Sequence, residues 1–272
     1  VRSLPAGLDP SVVEQIDRRL EGLTVEHGVT IPWAIESGSR AWGFPSPDSD
    51  YDCRFFFVRP RQAYLSPWRP RDVIETPLDA VLDVNGWDLI KAVDLAVRGN
   101  ATVSEWLRSP MVYGGDEEFR DALLALCEAV GDRDRITRHY LHVGGDHWTR
   151  SGAASGDQVA LKRVFYAIRP AAALHWLATH ADRCSPPMNL QELFEQAPPP
   201  PSVQEAVHRL VEAKAVTREL GHGVVEPSVV AWVEEQLGRA ADRIGAERQP
   251  TTRARTDAEL AFVGMLDRWG PR

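Results

Sequence analysis

Residues 38–58 read GSRAWGFPSPDSDYDCRFFFV, and they place Asp48, Asp50 and Asp52 at alternate positions directly before an apolar run. Carboxylates crowded this closely repel one another unless a cation or a proton holds them. A calcium loop of the EF-hand kind needs glycine at its sixth position and glutamate at its twelfth. Counted from Asp48, those positions hold Cys53 and Arg59, so that arrangement fails. A solvated turn accounts for SPDSD, since Asp and Ser favour turns. It leaves Asp52 unexplained, because Tyr51–Val58 is aromatic, β-prone and reads as a strand. On a strand, positions i and i+2 project to one face, so Asp50 and Asp52 present two carboxylates side by side. Asp48 is then a turn residue.

Working outward, VTIPWAIESGS (29–39) reads as a strand that breaks at Gly38-Ser39. That break offers a side-chain-free approach, a hydroxyl and backbone N–H donors, which together suit phosphate. Paired aspartates suit two hard cations, usually magnesium, that clamp a triphosphate for in-line phosphoryl transfer. A phosphate seat and a metal pair thus come from adjacent strands.

The 272-residue chain has 43% apolar and 26% charged residues and a formal net charge of −8, an ordinary globular balance. That acidity demotes recognition of nucleic acid by overall charge, although a local basic patch is compatible with it. Cys53, Cys127 and Cys184 lie far apart with no C-x-x-C spacing, which argues against structural zinc and a disulfide framework. No apolar run approaches membrane-span length, and the opening VRSLPAGLDPSVVEQIDRRLEG has charges throughout rather than an apolar signal core. A cytoplasmic setting is the expectation.

Asp9-Pro10 followed by Val12, Val13, Ile16, Leu20 and Leu23 predicts a first helix ending near Gly28. RDVIET (71–76) and AVLDVNGW (80–87) read as short strands, DLIKAVDLAV (88–97) and ATVSEWLRS (101–109) as helices. From residue 117 onward the periodicity is helical: 117–130, 133–148, 158–180, 201–220, 227–246 and 257–269. Ala197 followed by Pro198–Pro201 is a stiff connector on the surface. The outline is α+β: an N-terminal unit of mixed strands and helices over 1–112, then an all-helical unit over 113–272. The joint falls near Pro110–Asp116.

The ordered set G-S, ten residues, then D-Y-D on an apolar strand resembles the signature of the DNA polymerase β-type nucleotidyltransferase superfamily. Within it, ESGSRAWGFPSPDSDYDCRFFFVRP, with NGWDLIKAV, SEWLRSP and LKRVFYAIRP downstream, is similar to the predicted nucleotidyltransferases named for an RNA-repair, RNA-ligase-associated role. The likeness runs from about Trp33 to Trp176. It implies an α+β protein, a small polymerase β-like nucleotidyltransferase domain with a mixed sheet followed by an all-helical domain closing the cleft. It implies, too, a metal-dependent transfer of a nucleoside monophosphate from an NTP such as ATP to an acceptor hydroxyl, with pyrophosphate released. Magnesium would be the ion, two per site, with manganese as a substitute. The resemblance also implies a third carboxylate from a later strand. Alternation favours Asp83, which shares a face with Asn85; Asp88 is the alternative and reads more simply as a helix cap.

Asp50, Asp52 and Asp83 are therefore the expected catalytic and metal-binding residues, and Gly38 and Ser39 the expected seat of the β- and γ-phosphates. Arg40 reads either as a phosphate contact or as a structural partner of Glu36 or an aspartate. Lys162, Tyr166 and Arg169 fall at i, i+4 and i+7, a cationic and aromatic helical face that would receive the triphosphate or base. Its bland alternative is a solvated basic edge beside Leu161, Phe165 and Ile168. His139, His142 and His147 with Asp146 lack zinc spacing and read as a polar helix end. Glu105 and Trp106 read as packing or pairing residues at the domain junction. The acceptor is not fixed by the residues: the family name points to an RNA end, while the acidic balance weighs against RNA alone. The competing class is a non-catalytic nucleotide- or RNA-binding accessory protein of the same fold.

Overall fold

The computed structural model describes residues 1–77, 81–217, 221–246 and 249–271. Helix α1 (Pro10–His27) opens as the sequence predicts: the Asp9 carboxylate accepts from the Ser11 N–H, Pro10 takes the first turn, and Gly28 ends the helix at φ 59°. Strand β1 (Thr30–Glu36) follows, then the single turn of helix α2 (Gly38–Trp42) and strand β2 (Tyr51–Val58). Helix α3 (Arg61–Leu65), strands β3 (Val73–Glu75) and β4 (Leu82–Asp88), and helices α4 (Leu89–Val97) and α5 (Thr102–Leu107) lead to strand β5 (Val112–Gly115). The expected joint at Pro110–Asp116 thus contains a sheet strand, whose Gly114-Gly115 end hid it from a propensity reading.

The sheet order is β3-β4-β2-β1-β5, with β2 and β4 parallel and the other pairs antiparallel, so the protein is α+β with a mixed five-strand sheet. The pleat of β2 sorts its side chains. Tyr51, Cys53, Phe55 and Phe57 enter a core with Ile16 and Leu23 of α1. Phe56 and Val58 enter another with Leu89 and Val93 of α4, Val103 and Trp106 of α5, and Phe119. Phe55 is paired with Gly86 across the β2–β4 register, and a Cβ at Gly86 would lie 2.1 Å from the Phe55 ring. Glycine there lets the two central strands close over an aromatic side chain.

Helices α6 (Glu117–Val130), α7 (Arg133–Ser151) and, after strand β6 (Val159–Ala160), α8 (Leu161–Thr179) continue the chain. Then come α9 (Leu190–Gln196), α10 (Pro201–Val216), strand β7 (His222–Gly223) paired with β6, α11 (Pro227–Arg243) and α12 (Thr252–Trp269). Two stretches read from the sequence overlap residues outside the description: the strand at 80–87 begins on Ala80, and the helix at 201–220 ends on 218–220. Phe119 and Leu123 of α6 and Met265 and Leu266 of α12 pack in the same core as Phe56. A separate core gathers Tyr140, Phe165, Trp176, Leu193, Val203 and Trp232 from α7–α11, and Phe44, just after α2, is buried in it.

Candidate active site

The acidic face lies at the N-terminal end of β2, on the side of the sheet that turns apolar at Phe56. Asp50 is exposed, and Asp52 and Asp83 are half-buried. Because β2 and β4 run parallel, Asp52 and Asp83 are direct register partners, and Arg54 is the partner of Asn85. Asp88 sits at the far end of β4, where it caps α4 by accepting from the Ile90 N–H and also binds Arg59 (3.1 Å) and Tyr64 (2.6 Å). Of the two sequence candidates, the structure therefore brings Asp83, not Asp88, beside Asp52.

Sequence reading missed Arg54. Its guanidinium donates to Asp52 at 3.2 Å and to Asp83 at 2.6 Å, joining the two carboxylates across the strands. The signal was present: Asp50, Asp52 and Arg54 continue one alternating face. Asn85 donates to Asp83 as well, at 2.5 Å. Burial raises the Asp52 carboxyl above its ordinary value; Arg54 opposes that shift, and the charges of Asp83 and Asp50 add to it.

Gly38 stands against this group. It has φ 60°, and a Cβ on it would lie 1.9 Å from Asp52 Oδ2. Only glycine lets the β1–α2 corner lie this close to the acidic pair. Below it, the fully buried Glu36 accepts from the Asp52 N–H at 3.0 Å and from Tyr113 at 2.6 Å, while the Ser37 N–H donates to Asp52 O at 2.8 Å. Burial pushes the Glu36 carboxyl up to about 7, against the lowering effect of its two hydrogen bonds.

Ser39 and Arg40 organise the loop between α2 and β2. Ser39 Oγ meets Ser49 Oγ at 2.9 Å, and Ser49 Oγ also accepts from the Ser46 N–H. Arg40 donates to the carbonyls of Ser49 (2.6 Å) and Asp50 (3.1 Å) and lies 4.0 Å over the Tyr51 ring. The hydrogen-bond partners of Arg40 are thus backbone carbonyls rather than Glu36 or an aspartate carboxylate.

The remaining candidates lie on the helices. Tyr166 of α8 packs edge-on against Trp42 at 5.5 Å and tilts against His147 at 5.3 Å. Burial, then the charges of Asp52 and Asp50, raise its hydroxyl pKa, so Tyr166 faces the acidic pair. Lys162, one turn earlier, is exposed, and its charge acts on Lys214 of α10. Arg169 does not join them. It is 6% exposed and bound to Glu105 at 2.7 and 3.2 Å, with Tyr140 donating to the same carboxylate. The i, i+4, i+7 stripe descends from solvent at Lys162 to the interior at Arg169, a change of depth that periodicity does not encode. Glu105 pairs, and Trp106 packs against Trp87, as expected of junction residues.

Lys214 was also missed, since VEAKAV reads as an ordinary helical surface. It is 1% exposed, donates to Phe44 O at 2.5 Å, and lies over the rings of Phe44 and Phe165, which stack on one another at 4.7 Å. Burial, with Lys162 nearby, lowers its amine to about 8, and Asp48 opposes that shift. Together with Asn189, which donates to Ala41 O, Lys214 fastens α2 and its loop to the helices.

The donor set is hard oxygen throughout, and Asp52 and Asp83 face one another beneath a glycine cradle, which fits magnesium or manganese. Among the described residues no three carboxylate, histidine or cysteine side chains are already gathered within metal-ligating reach. The charge between Asp52 and Asp83 is supplied by Arg54. The histidines at 139, 142 and 147 form no such group either.

The family model described as the RNA repair pathway DNA polymerase beta family matches residues 12–262. The uncharacterized protein YcgL of Bacillus subtilis (strain 168) is 32% identical over 242 residues, which cover 88% of this chain and 92% of YcgL.

Proposed function

The chain belongs to the RNA repair pathway DNA polymerase beta family, and from that premise we propose that it transfers a nucleoside monophosphate from an NTP to an acceptor hydroxyl. The observation that carries this reading is the register pairing of Asp52 with Asp83, with Asp50 two residues away and Gly38 against Asp52. Asp50 and Asp52 would hold two divalent cations, and Asp83 one of them. Bound there, magnesium or manganese would supply positive charge against the triphosphate and the departing pyrophosphate. Gly38 and Ser39 would seat the β- and γ-phosphates, with Tyr166 and Lys162 on the nucleotide from the α8 side. Residues after 112 thereby supply the second wall of the cleft. The acceptor oxygen attacks the α-phosphorus, the bond to the bridging oxygen of the β-phosphate breaks, and Asp83 accepts the acceptor's proton. An RNA end is the acceptor the family description suggests.

One observation favours a second reading. Arg54 already bridges Asp52 and Asp83 and offsets part of their charge, as it would in an accessory protein that binds nucleotide without transfer. The two readings separate on incubation of the protein with each α-labelled NTP, magnesium, and mixed cellular RNA, protein and metabolites. Label transfer that disappears in Asp50→Ala, with the fold retained, supports catalysis. Nucleotide binding without transfer in the wild type supports the accessory reading.

A further inference from the structure

Away from the aspartates, a groove in two adjacent parts, cavities of about 910 and 590 Å³, flanks α4, whose ridge of Ile90, Asp94 and Arg98 lines both. The smaller runs beside the loop that precedes β3, and the larger lies between α4, α7 and α12. Its charged lining is dominated by cations, among them Arg69, Arg71, Lys91, Arg98, Arg138 and Arg255, in a chain whose formal net charge is −8. The lining carboxylates are Asp72, Asp88, Asp94 and Glu259. Asp88 is consumed by Arg59, Tyr64 and the start of α4, Asp94 and Arg98 offset one another, and Arg71 pairs with Glu75. The side chains of Arg69 and Arg255 make no hydrogen bond or ion pair among the described residues, and Lys91 reaches Asp72 only at 3.4 Å. A positive track on an acidic protein is a local feature that attracts a polyanion.

A second observation narrows the class. Trp68, adjacent to Arg69 in the sequence Trp68-Arg69-Pro70-Arg71, is 87% exposed. An indole held in solvent beside a cationic groove is the pairing that takes a base on its face and phosphates on its flanks. We propose that this groove binds a single-stranded nucleic acid, its phosphodiester backbone along the arginines and lysine and a base on Trp68. RNA and DNA share that backbone. Asp88 in the groove and Asp83 at the candidate active site are the two ends of the same strand stretch, ~16 Å apart at strand rise, a span that a few nucleotides cover. The inference goes beyond the transfer reading and does not depend on it.

Fluorescence anisotropy of the full chain with labelled 20-nucleotide single-stranded RNA and DNA, without NTP, tests it at several salt concentrations. Both strands are compared, and the tighter one identifies the natural chemistry. Binding is expected to weaken linearly on a log–log plot against salt. Arg69→Ser/Arg255→Ser should weaken it about tenfold or more at low salt and reduce the slope by about 2. Trp68→Ala should weaken it about tenfold with the slope unchanged. Arg239→Ser, an exposed cation on α11, should bind like the wild type. No binding to either strand at low salt would overturn the proposal, as would wild-type affinity in Arg69→Ser/Arg255→Ser or an equal loss in Arg239→Ser. Binding to anionic phospholipid vesicles in place of either strand would overturn it too. Because NTP is absent, a failure here leaves the transfer reading intact, and a failure of transfer leaves this one intact.

Discussion

The protein uses a guanidinium against carboxylate in two places, and the settings differ in depth. Arg169 and Glu105 lie 7% and 6% exposed between α8 and α5, with Tyr140 completing the carboxylate's partners. Arg54 joins Asp52 and Asp83 where all three side chains are 17–28% exposed, and the charge of Asp52 acts on Tyr166. Buried, the first pair has no other partner to exchange with, and breaking it strands a charge in the interior. The second is open enough for an incoming cation to replace the arginine. The same chemistry thus gives a fixed strut in one region and, under the proposed function, a counter-ion for a cation to exchange in the other.

Breaking the strut should have the largest effect on folding. Glu105→Ala leaves Arg169 charged and buried, and a loss of about 3–5 kcal/mol is expected by denaturant titration. The same titration on Arg54→Met should show a smaller loss, about 1–2 kcal/mol, and magnesium should recover part of it. If magnesium leaves Arg54→Met unchanged while Asp52 and Asp83 are intact, the counter-ion is not exchangeable and the contrast fails.

Lys214 sharpens the comparison with a buried cation that has no carboxylate of its own. Its amine titrates near 8 in the fold and near 10.4 in an unfolded chain, so the unfolded state holds more protons between those values. Below pH 8 the ammonium is charged in both states and its burial cost is fully present; raising the pH toward 10.4 removes that cost. Measured against Lys214→Met, wild-type stability should therefore gain roughly 1–3 kcal/mol between pH 7.5 and 10. At the small end, Arg239→Ser breaks the exposed i, i+4 pair with Glu235 and should shift stability by about 0.5 kcal/mol or less.

Much of the site was legible because it follows from the pleat. Alternation placed Asp50 with Asp52 and preferred Asp83 to Asp88, and the parallel β2–β4 pairing sets Asp83 beside Asp52. The parallel pairing itself was not legible, since strand partners are chosen by tertiary packing such as Phe55 closing over Gly86. Strand β5 was hidden because it is short and ends in two glycines. Arg54 was overlooked although it lies on the face already traced. Arg169 was placed on the right helix and in the right turn, but helical period gives direction around an axis and not depth along it. Lys214 carries no local sign of burial; only the return of α10 against Phe44 creates it.

The central claim is that Asp52 and Asp83 serve nucleotidyl transfer rather than structure alone. It is tested most directly by following α- and γ-labelled NTP in parallel with pyrophosphate release, in the wild type and in Asp83→Asn. The wild type should pass the α-label to an acceptor with one pyrophosphate released per transfer. Asp83→Asn, folded and still binding NTP, should lose both by about 10³-fold. Transfer of the γ-label, or α-label transfer that survives undiminished in Asp83→Asn, would contradict it.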